Sequence, residues 1–439
     1  MSLVSQDFDY KVDNEGSQGT CYRTSYPSEA TSYGLGDRCL IQIPHTHNGF
    51  LNGQNSWLNL SMTISGLTGT NVVANSFNVH LSHIGAYSAI SQVNIISGST
   101  GYVQEIRNFQ QVMALLINSN TDRATNLPGS IVSGTSLITP GFAVLGQLQN
   151  IVGSAIAKQD FSLPLIGLLA GKMIPLAFIN DNLTLEIIFT SDIRDILYSS
   201  AGSAVTEITG GQVSFTAEYD ADVIIATDST ITKIRQASDI SDGIMSWSDT
   251  QIHAVNNSVS ISELNSAGQS IKQTLVGGVK PKQLLQVFHT GFGSARGCGD
   301  QWQCLVYWST EWRLRLGSQE YPPRFIHTMA EAQLSLQDCF DSIAKTTYNS
   351  QSCLDTSLEG ARQPAKTAVQ TQTLTGASGY NFSKFYNTAD GVDTTGKQLI
   401  TEVDLLAKGV AVNAINACTF KRFGVIYSIS DSGEFSVSY

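Results

Sequence analysis

The stretch FSLPLIGLLAGKMIPLAFINDNLTLEIIFT, residues 161–190, decides the fold class. Apart from Ser162 and Lys172, its first nineteen residues are apolar or small. A membrane-spanning helix needs about 20 consecutive apolar residues. Here Pro164 and Pro175 each lack an amide donor and clash with the preceding turn, so one helix cannot run through both. Lys172, beside Gly171, would place a charge near mid-bilayer. Two strand-length apolar pieces remain, FSLPLI and IPLAFI, joined by a glycine-containing linker. Beyond them Leu183, Leu185, Ile187 and Phe189 alternate with Thr184, Glu186, Ile188 and Thr190, the period of a strand with one buried face. The stretch reads as sheet.

The same alternation recurs elsewhere. Leu58, Leu60, Met62 and Ile64 share one face, as do Phe77, Val79 and Leu81. In VSFTAEYDADVII, residues 213–225, Val213, Phe215, Ala217, Tyr219, Ala221, Val223 and Ile225 point one way, which predicts a strand of about 43 Å. VIYSIS and EFSVSY predict a hairpin around Asp431-Ser432-Gly433. Helical spacing is scarce. It is found in VQEIRNFQQVMALL (103–116), in VLGQLQNIVGSAIAK (144–158), and in TMAEAQLSLQDCFDSIAK (328–345), where Thr328 and Glu331 have capping-box spacing. Many strands with few inserted helices predict an all-β chain. A length of 439 residues exceeds what one sandwich needs, so two tandem sandwiches are expected. The boundaries read as a flexible N-terminal arm over 1–38, a first sandwich over 39–230, a linker over 231–243 and a second sandwich over 244–439.

Composition narrows the function. Only 14% of residues are charged against 42% hydrophobic, a balance expected of a chain that hides surface against partners. The net charge of −11 disfavours a protein that grips phosphate backbones. The arm is also acidic, with Lys11, Arg23 and Arg38 against Asp7, Asp9, Asp13, Glu15, Glu29 and Asp37. MSLVSQDFDYKVDNE has no apolar core of a secretory signal. Free thiols are therefore expected at the seven cysteines, and unused sequons at Asn59, Asn182, Asn256 and Asn381.

No catalytic, cofactor or metal site emerges. His45-Thr46-His47 lacks a third ligand at a recognisable spacing, and Cys298 and Cys304 are spaced unlike a zinc pair. GFGSARG, residues 291–297, lacks the spacing and following helix of a phosphate loop. No G-x-S-x-G elbow stands between a strand and a helix. Trp302, Tyr307, Trp308 and Trp312 offer a stacking surface for a sugar or base, but their near-alternation fits strand packing better. Glu186, Glu218, Asp220 and Asp222 lie on alternating strands, where a solvated face explains them more simply than a hydrolase does.

Two passages resemble the double jelly-roll major capsid proteins of eukaryotic double-stranded DNA viruses, a group that includes the Polinton and adintovirus-like elements, virophages and nucleocytoplasmic large DNA viruses. In the first sandwich the likeness rests on residues 161–189, with Pro164, Pro175, Leu183 and Leu185 as motif positions. SWLNLSMTIS and IGAYSAISQVNIISGSTGYVQEIRNF upstream support it. In the second, WRLRLGSQEYPPRFIHTMAEAQLSLQDCF carries Gly317, Tyr321 and Pro322. The likeness runs from about residue 39 to 439 in pattern more than identity. It implies two jelly rolls, no enzymatic activity, and pseudo-hexagonal homotrimers that tile an icosahedral shell. It also implies neighbouring trimers, penton and minor capsid proteins as partners and no sequence-specific nucleic acid, and it allows an internal membrane while leaving its presence open. The implied place is the virion, assembled inside the host cell. The alternative reading is a two-sandwich carbohydrate- or receptor-binding module such as a spike or lectin.

Overall fold

The computed structural model describes residues 19–69, 79–82, 84–120, 132–134, 157–170, 173–199, 208–240, 245–259, 271–275, 280–290, 309–326, 331, 335, 338–339, 377–382, 391–394, 396–405 and 415–438. Two four-stranded antiparallel sheets form the first lobe. One has the order β1 (Thr20–Pro27), β10 (Ile208–Ile225), β3 (Gly49–Gly69), β7 (Ala157–Leu163). The other has the order β2 (Arg38–Ile43), β8 (Leu183–Phe189), β5 (Ile90–Ser97), β6 (Gly101–Arg107). A small ladder pairs β4 (Val79–Leu81) with β9 (Leu197–Ser199).

The second lobe repeats this plan. Its first sheet runs β11 (Met245–Val259), β18 (Ile415–Ile429), β13 (Pro281–Thr290), β16 (Ala377–Asn381), with β19 (Phe435–Ser438) added to the end of β18. Its second sheet runs β12 (Ile271–Leu275), β17 (Leu399–Leu405), β14 (Ser309–Leu316), β15 (Gln319–Ile326). Number the eight main strands of either lobe in chain order. Both lobes then place the first, eighth, third and sixth in one sheet and the second, seventh, fourth and fifth in the other. That is the connectivity of a jelly roll, built twice.

Alternation sets these strands. Leu58, Leu60, Met62 and Ile64 on β3 and Val213, Phe215, Ala217 and Tyr219 on β10 are all buried, and the long β3–β10 ladder brings them together. Phe189 of β8 stacks on Phe215 of β10 across the two sheets, 4.3 Å apart and 8° from parallel. Full burial of such a ring is worth about 1.5–3 kcal/mol. The second core differs. Around Trp312, Leu314, Leu316 and Leu399 it carries buried amides and hydroxyls. Trp312 Nε1 donates to Gln286 Oε1 at 3.0 Å, and Gln286 Nε2 donates to Gln273 Oε1 at 2.8 Å and Thr401 Oγ1 at 3.0 Å. Thr419 Oγ1 donates to Gln273 Oε1 at 2.9 Å.

Several expectations are corrected. The supposed flexible arm over 1–38 contains β1, paired with β10 along its length, so the first sandwich begins before residue 39. Residues 1–18 lie outside the described residues. The supposed linker over 231–243 is largely helix, Asp228–Ile240, whose Ile231 and Ile234 are buried in the core. Val103 and Ile106 belong to β6, and the helix begins later, at Phe109. Of the two apolar pieces, FSL ends β7, but IPLAFI is no strand. Ile174 makes one bridge to Leu51, and Leu176–Phe178 is a 3-10 turn. Residues 331, 335, 338 and 339 are helical; Thr328 lies outside the described residues, as do 144–156 of the middle helical stretch.

Candidate assembly surfaces

Among the described residues no three His, Cys, Asp or Glu side chains come together as a metal site. His45 Nδ1 donates to the Ile179 carbonyl at 2.8 Å and the His45 amide donates to Asn182 Oδ1 at 3.1 Å, so this residue pins the segment before β8. Cys21, Cys39, Cys339 and Cys418 carry thiols rather than disulfides. Residues 291–308, with Cys298, Cys304, Trp302 and Trp308, lie outside the described residues. Trp312 is fully buried and offers no stacking face.

The four candidate carboxylates do not converge. Glu186 is buried rather than solvated, held by Asn94 Nδ2 at 2.5 Å and by Arg38. Glu218 accepts from Asn59 at 3.3 Å, and Asp220 lies 3.6 Å from Arg23. Asp222 is buried among Asn52 (3.0 Å), Asn55 (3.4 Å) and Cys21 (2.6 Å). The Cys21 hydrogen bond to Asp222, with some burial, raises that thiol's pKa and disfavours thiolate. Each carboxylate ties strands together.

The motif positions fall on turns, strand ends and core. Pro164 follows the last residue of β7, an edge strand where a missing amide leaves no ladder bond unmade. Pro175 precedes the Leu176–Phe178 turn. Leu183 and Leu185 are fully buried. Gly317, at φ 59, starts the two-residue turn between β14 and β15. Tyr321 and Pro322 share a cis peptide at the start of a bulge in β15, with the Tyr321 ring against Tyr380 and Phe382.

What the fold exposes is sheet edge and sheet face. Several edges are covered or blunted, as edges that must not pair at random are. Beside β2 the Glu29 amide donates to the Leu40 carbonyl at 3.0 Å. The second lobe flanks β6 and its continuation, where Thr100 bonds the Phe435 carbonyl and Asn108 Nδ2 donates to the Ala254 carbonyl at 3.1 Å. Asn381 of β16 reaches the Asp338 carbonyl at 2.9 Å, and β15 carries Pro322, Pro323 and the bulge. On the outer face of the β12–β15 sheet, Glu402 gathers Arg313 (2.6 Å), Lys272 (3.2 Å) and Arg315 (3.3 Å). Burial pushes the Glu402 pKa up, but hydrogen bonds from those three cations outweigh it and hold the carboxyl below its ordinary value. Among the described residues the outer sides of β1, β7, β11 and β12 have no strand partner.

The lobes share one apolar cluster. Leu285, Val287, Cys418 and Phe420 of the second lobe belong to the same buried group as the first core, and Cys418 Sγ donates to Gln111 Oε1 at 3.2 Å. A cavity of 430 Å³ remains at this junction, lined by Leu115, Ile166, Ile252, Leu285 and Phe420, with Arg422 at its polar side.

No family model matches the sequence, and no curated protein matches it. Solved structures do match by shape. The Faustovirus major capsid protein aligns with a TM-score of 0.60 at 9% identity, over 97% of this chain and 92% of that one. The PBCV-1 virus capsid aligns with a TM-score of 0.60 at 11% identity, over 96% of this chain and 97% of that one. The mavirus major capsid protein aligns with a TM-score of 0.54 at 10% identity, over 95% and 90%. With the strand order repeated in both lobes, this chain has the double jelly-roll fold of these viral capsid proteins.

Proposed function

We propose that the chain is the major capsid subunit of a double-stranded DNA virus, a structural protein without an active site that works by trimerising and tiling. One observation carries this reading: the same eight-strand jelly roll is built twice in one chain. Three such chains around a threefold axis present six similar lobes, a pseudo-hexagonal tile that packs into an icosahedral shell. The low charge content supports large obligate interfaces, on the order of 2,000 Å² or more each. Neighbouring trimers are the main partners; penton and minor capsid proteins would complete the shell, with or without an internal membrane. The protein then acts in the virion. Pro164 and the bulge at Pro322 keep two edges from pairing at random.

Sizing with mass detection tests the reading on purified full-length protein. A species of three chain masses, with hexagonal outlines in electron micrographs, is expected. A stable monomer at micromolar concentration overturns it.

A further inference from the structure

The joint between the lobes has a direction. The first lobe presents β6 and the helix after it, Phe109–Asn120, and the second lobe receives them on the outer face of its β11–β18–β13–β16 sheet. Cys418 of that face bonds Gln111 of the helix, and Leu285 and Phe420 line the junction cavity together with Leu115. Because the strand order is the same in both lobes, each lobe owns one presenting side and one receiving face. One such joint within the chain leaves a surface over at either end. In the second lobe it is the presenting side, β15 with the helical residues after it. In the first lobe it is the receiving face, the outside of β1–β10–β3–β7, where Ser214, Thr216 and Glu218 are exposed and Asn59, Ser61 and Thr63 half-buried.

We infer that the outer face of the β1–β10–β3–β7 sheet receives the β15 side of a neighbouring copy's second lobe, so that the joint within the chain is the template for the joint between chains. This rests on the capsid reading: in a ring of six lobes, each lobe meets the next in the same way. Such a head-to-tail contact closes into a ring, and every copy keeps the same direction along the axis.

Residue chemistry singles out the same face. The outer face of the β2–β8–β5–β6 sheet carries Arg38, Glu105 and Glu186, and that of the β12–β17–β14–β15 sheet carries Lys272, Arg313 and Glu402. The outward row of β3 from Asn59 to Ser65 and that of β10 from Gln212 to Thr216 hold no charge, and Lys158, Asp160 and Glu218 stand at their margin. A charge-poor centre with a charged rim is the pattern of an interface. The small side chains leave two shallow hollows, of 350 Å³ beside Ser61, Ser162 and Thr216 and of 390 Å³ beside Thr63, Ser65 and Ser214. The two receiving faces also differ as their timing requires. The one covered within the chain is apolar, with Leu285, Val287, Cys418 and Phe420. The one covered only when copies meet is built of Asn, Ser and Thr, which spares the single folded chain a large exposed apolar patch.

Thr216→Arg in the full-length protein tests this joint by dilution with mass detection. It sets one unmatched cation into each contact. If each of the three contacts weakens about tenfold, the concentration at which half the chains are monomeric rises about 30-fold, since it varies as the square root of the trimer dissociation constant. Thr216→Cys, a smaller change, covers the case in which arginine is not tolerated. Its thiol, followed by peptide mapping, should react with a bulky maleimide in urea and be protected in the native trimer. A trimer whose Thr216→Arg midpoint equals that of wild type overturns the joint and leaves the capsid reading standing. So does a Thr216→Cys thiol that reacts as fast in the native trimer as in urea. A wild-type chain that stays monomeric overturns the capsid reading, and the joint with it.

Discussion

Replacing Gln286 with leucine should destabilise the second lobe although the substitution adds apolar surface to a buried site. Gln286 is fully buried between the sheets. Leucine is of similar size, so packing changes little. The loss is in hydrogen bonding. The Trp312 indole N–H, 3.0 Å from Gln286 Oε1, loses its acceptor inside a core that excludes water, at a cost of about 1–3 kcal/mol. Thr401 loses the donor at 3.0 Å, and the Gln286–Gln273 bond at 2.8 Å goes as well, each worth about 0.5–1.5 kcal/mol net. Gln273 Oε1 keeps its bond from Thr419, which limits the damage there. With some return from burying leucine, the net loss is about 2–4 kcal/mol.

Urea unfolding followed by tryptophan fluorescence measures it. Protein concentration must be held fixed, because assembly stabilises by mass action. A companion variant sharpens the test. Trp312→Phe removes the donor that Gln286→Leu strands, so the double variant should cost less than the sum of the singles, by on the order of 1 kcal/mol. Gln286→Leu at wild-type stability, or strictly additive singles, would refute the claim that this amide is required by its partners rather than merely accommodated.

Three further outcomes follow from the geometry. Phe215→Asp or Leu185→Asp buries an unpaired charge in the first core and should abolish soluble trimer, while Phe215→Ala should cost about 3–5 kcal/mol through loss of its stack on Phe189; soluble yield and denaturation midpoints check both. Gly53→Ala should lower stability by about 1–3 kcal/mol, because a Cβ there would lie 2.1 Å from the Leu169 carbonyl oxygen and must push the Gly167–Leu169 turn aside; the thermal midpoint reads it. Burial, with the nearby Lys421 charge next, holds His253 below its ordinary pKa. The folded state then binds fewer protons than the unfolded one, so this contribution to stability is complete above about pH 6.5 and is lost as pH falls through the lower folded value. His253→Gln should flatten the midpoint-against-pH curve in that window; an unchanged slope would refute the assignment.

Strands with one wet face were legible because their alternation is written directly in residue type: Leu58 to Ile64 and Val213 to Val223 are buried as the period of two requires. Where that premise fails, the pattern fails. β1 was missed because its first four residues are exposed on both faces and show no alternation. Of the two pieces expected as strands, FSLPLI (161–166) and IPLAFI (174–179), only 161–163 is strand, because an unbroken apolar run says that chain is buried and not whether it is extended. The helix Asp228–Ile240 buries only Ile231 and Ile234 of its described side chains, too thin a stripe to outweigh its polar residues. The amide network had no signal at all: a lone Gln in LLQVF reads as an outward residue until the opposite sheet is known. Glu186 misled for the same reason, since its partner Arg38 lies on a strand far away in sequence.

The run LLQVF also explains how two lobes make one unit. Leu284 packs in the second core with Trp312, while Leu285 and Val287 belong to the cluster shared with the first lobe. At β13 this sheet is thus buried on both faces, and a strand buried on both faces shows no alternation. Its second face is the joint between lobes. A joint made of core packing, with Cys418 bonded to Gln111 and Asn108 to the Ala254 carbonyl across it, fixes the angle between the two jelly rolls, as a flexible connection could not. For the proposed tile, whose hexagonal outline would depend on six lobes lying at set angles, that angle is the quantity that matters, and buried side chains hold it rather than the 228–240 connection. A substitution confined to the exposed face of that helix should therefore leave the trimer outline unchanged, while Leu285→Asp should disturb it even where both sandwiches still fold.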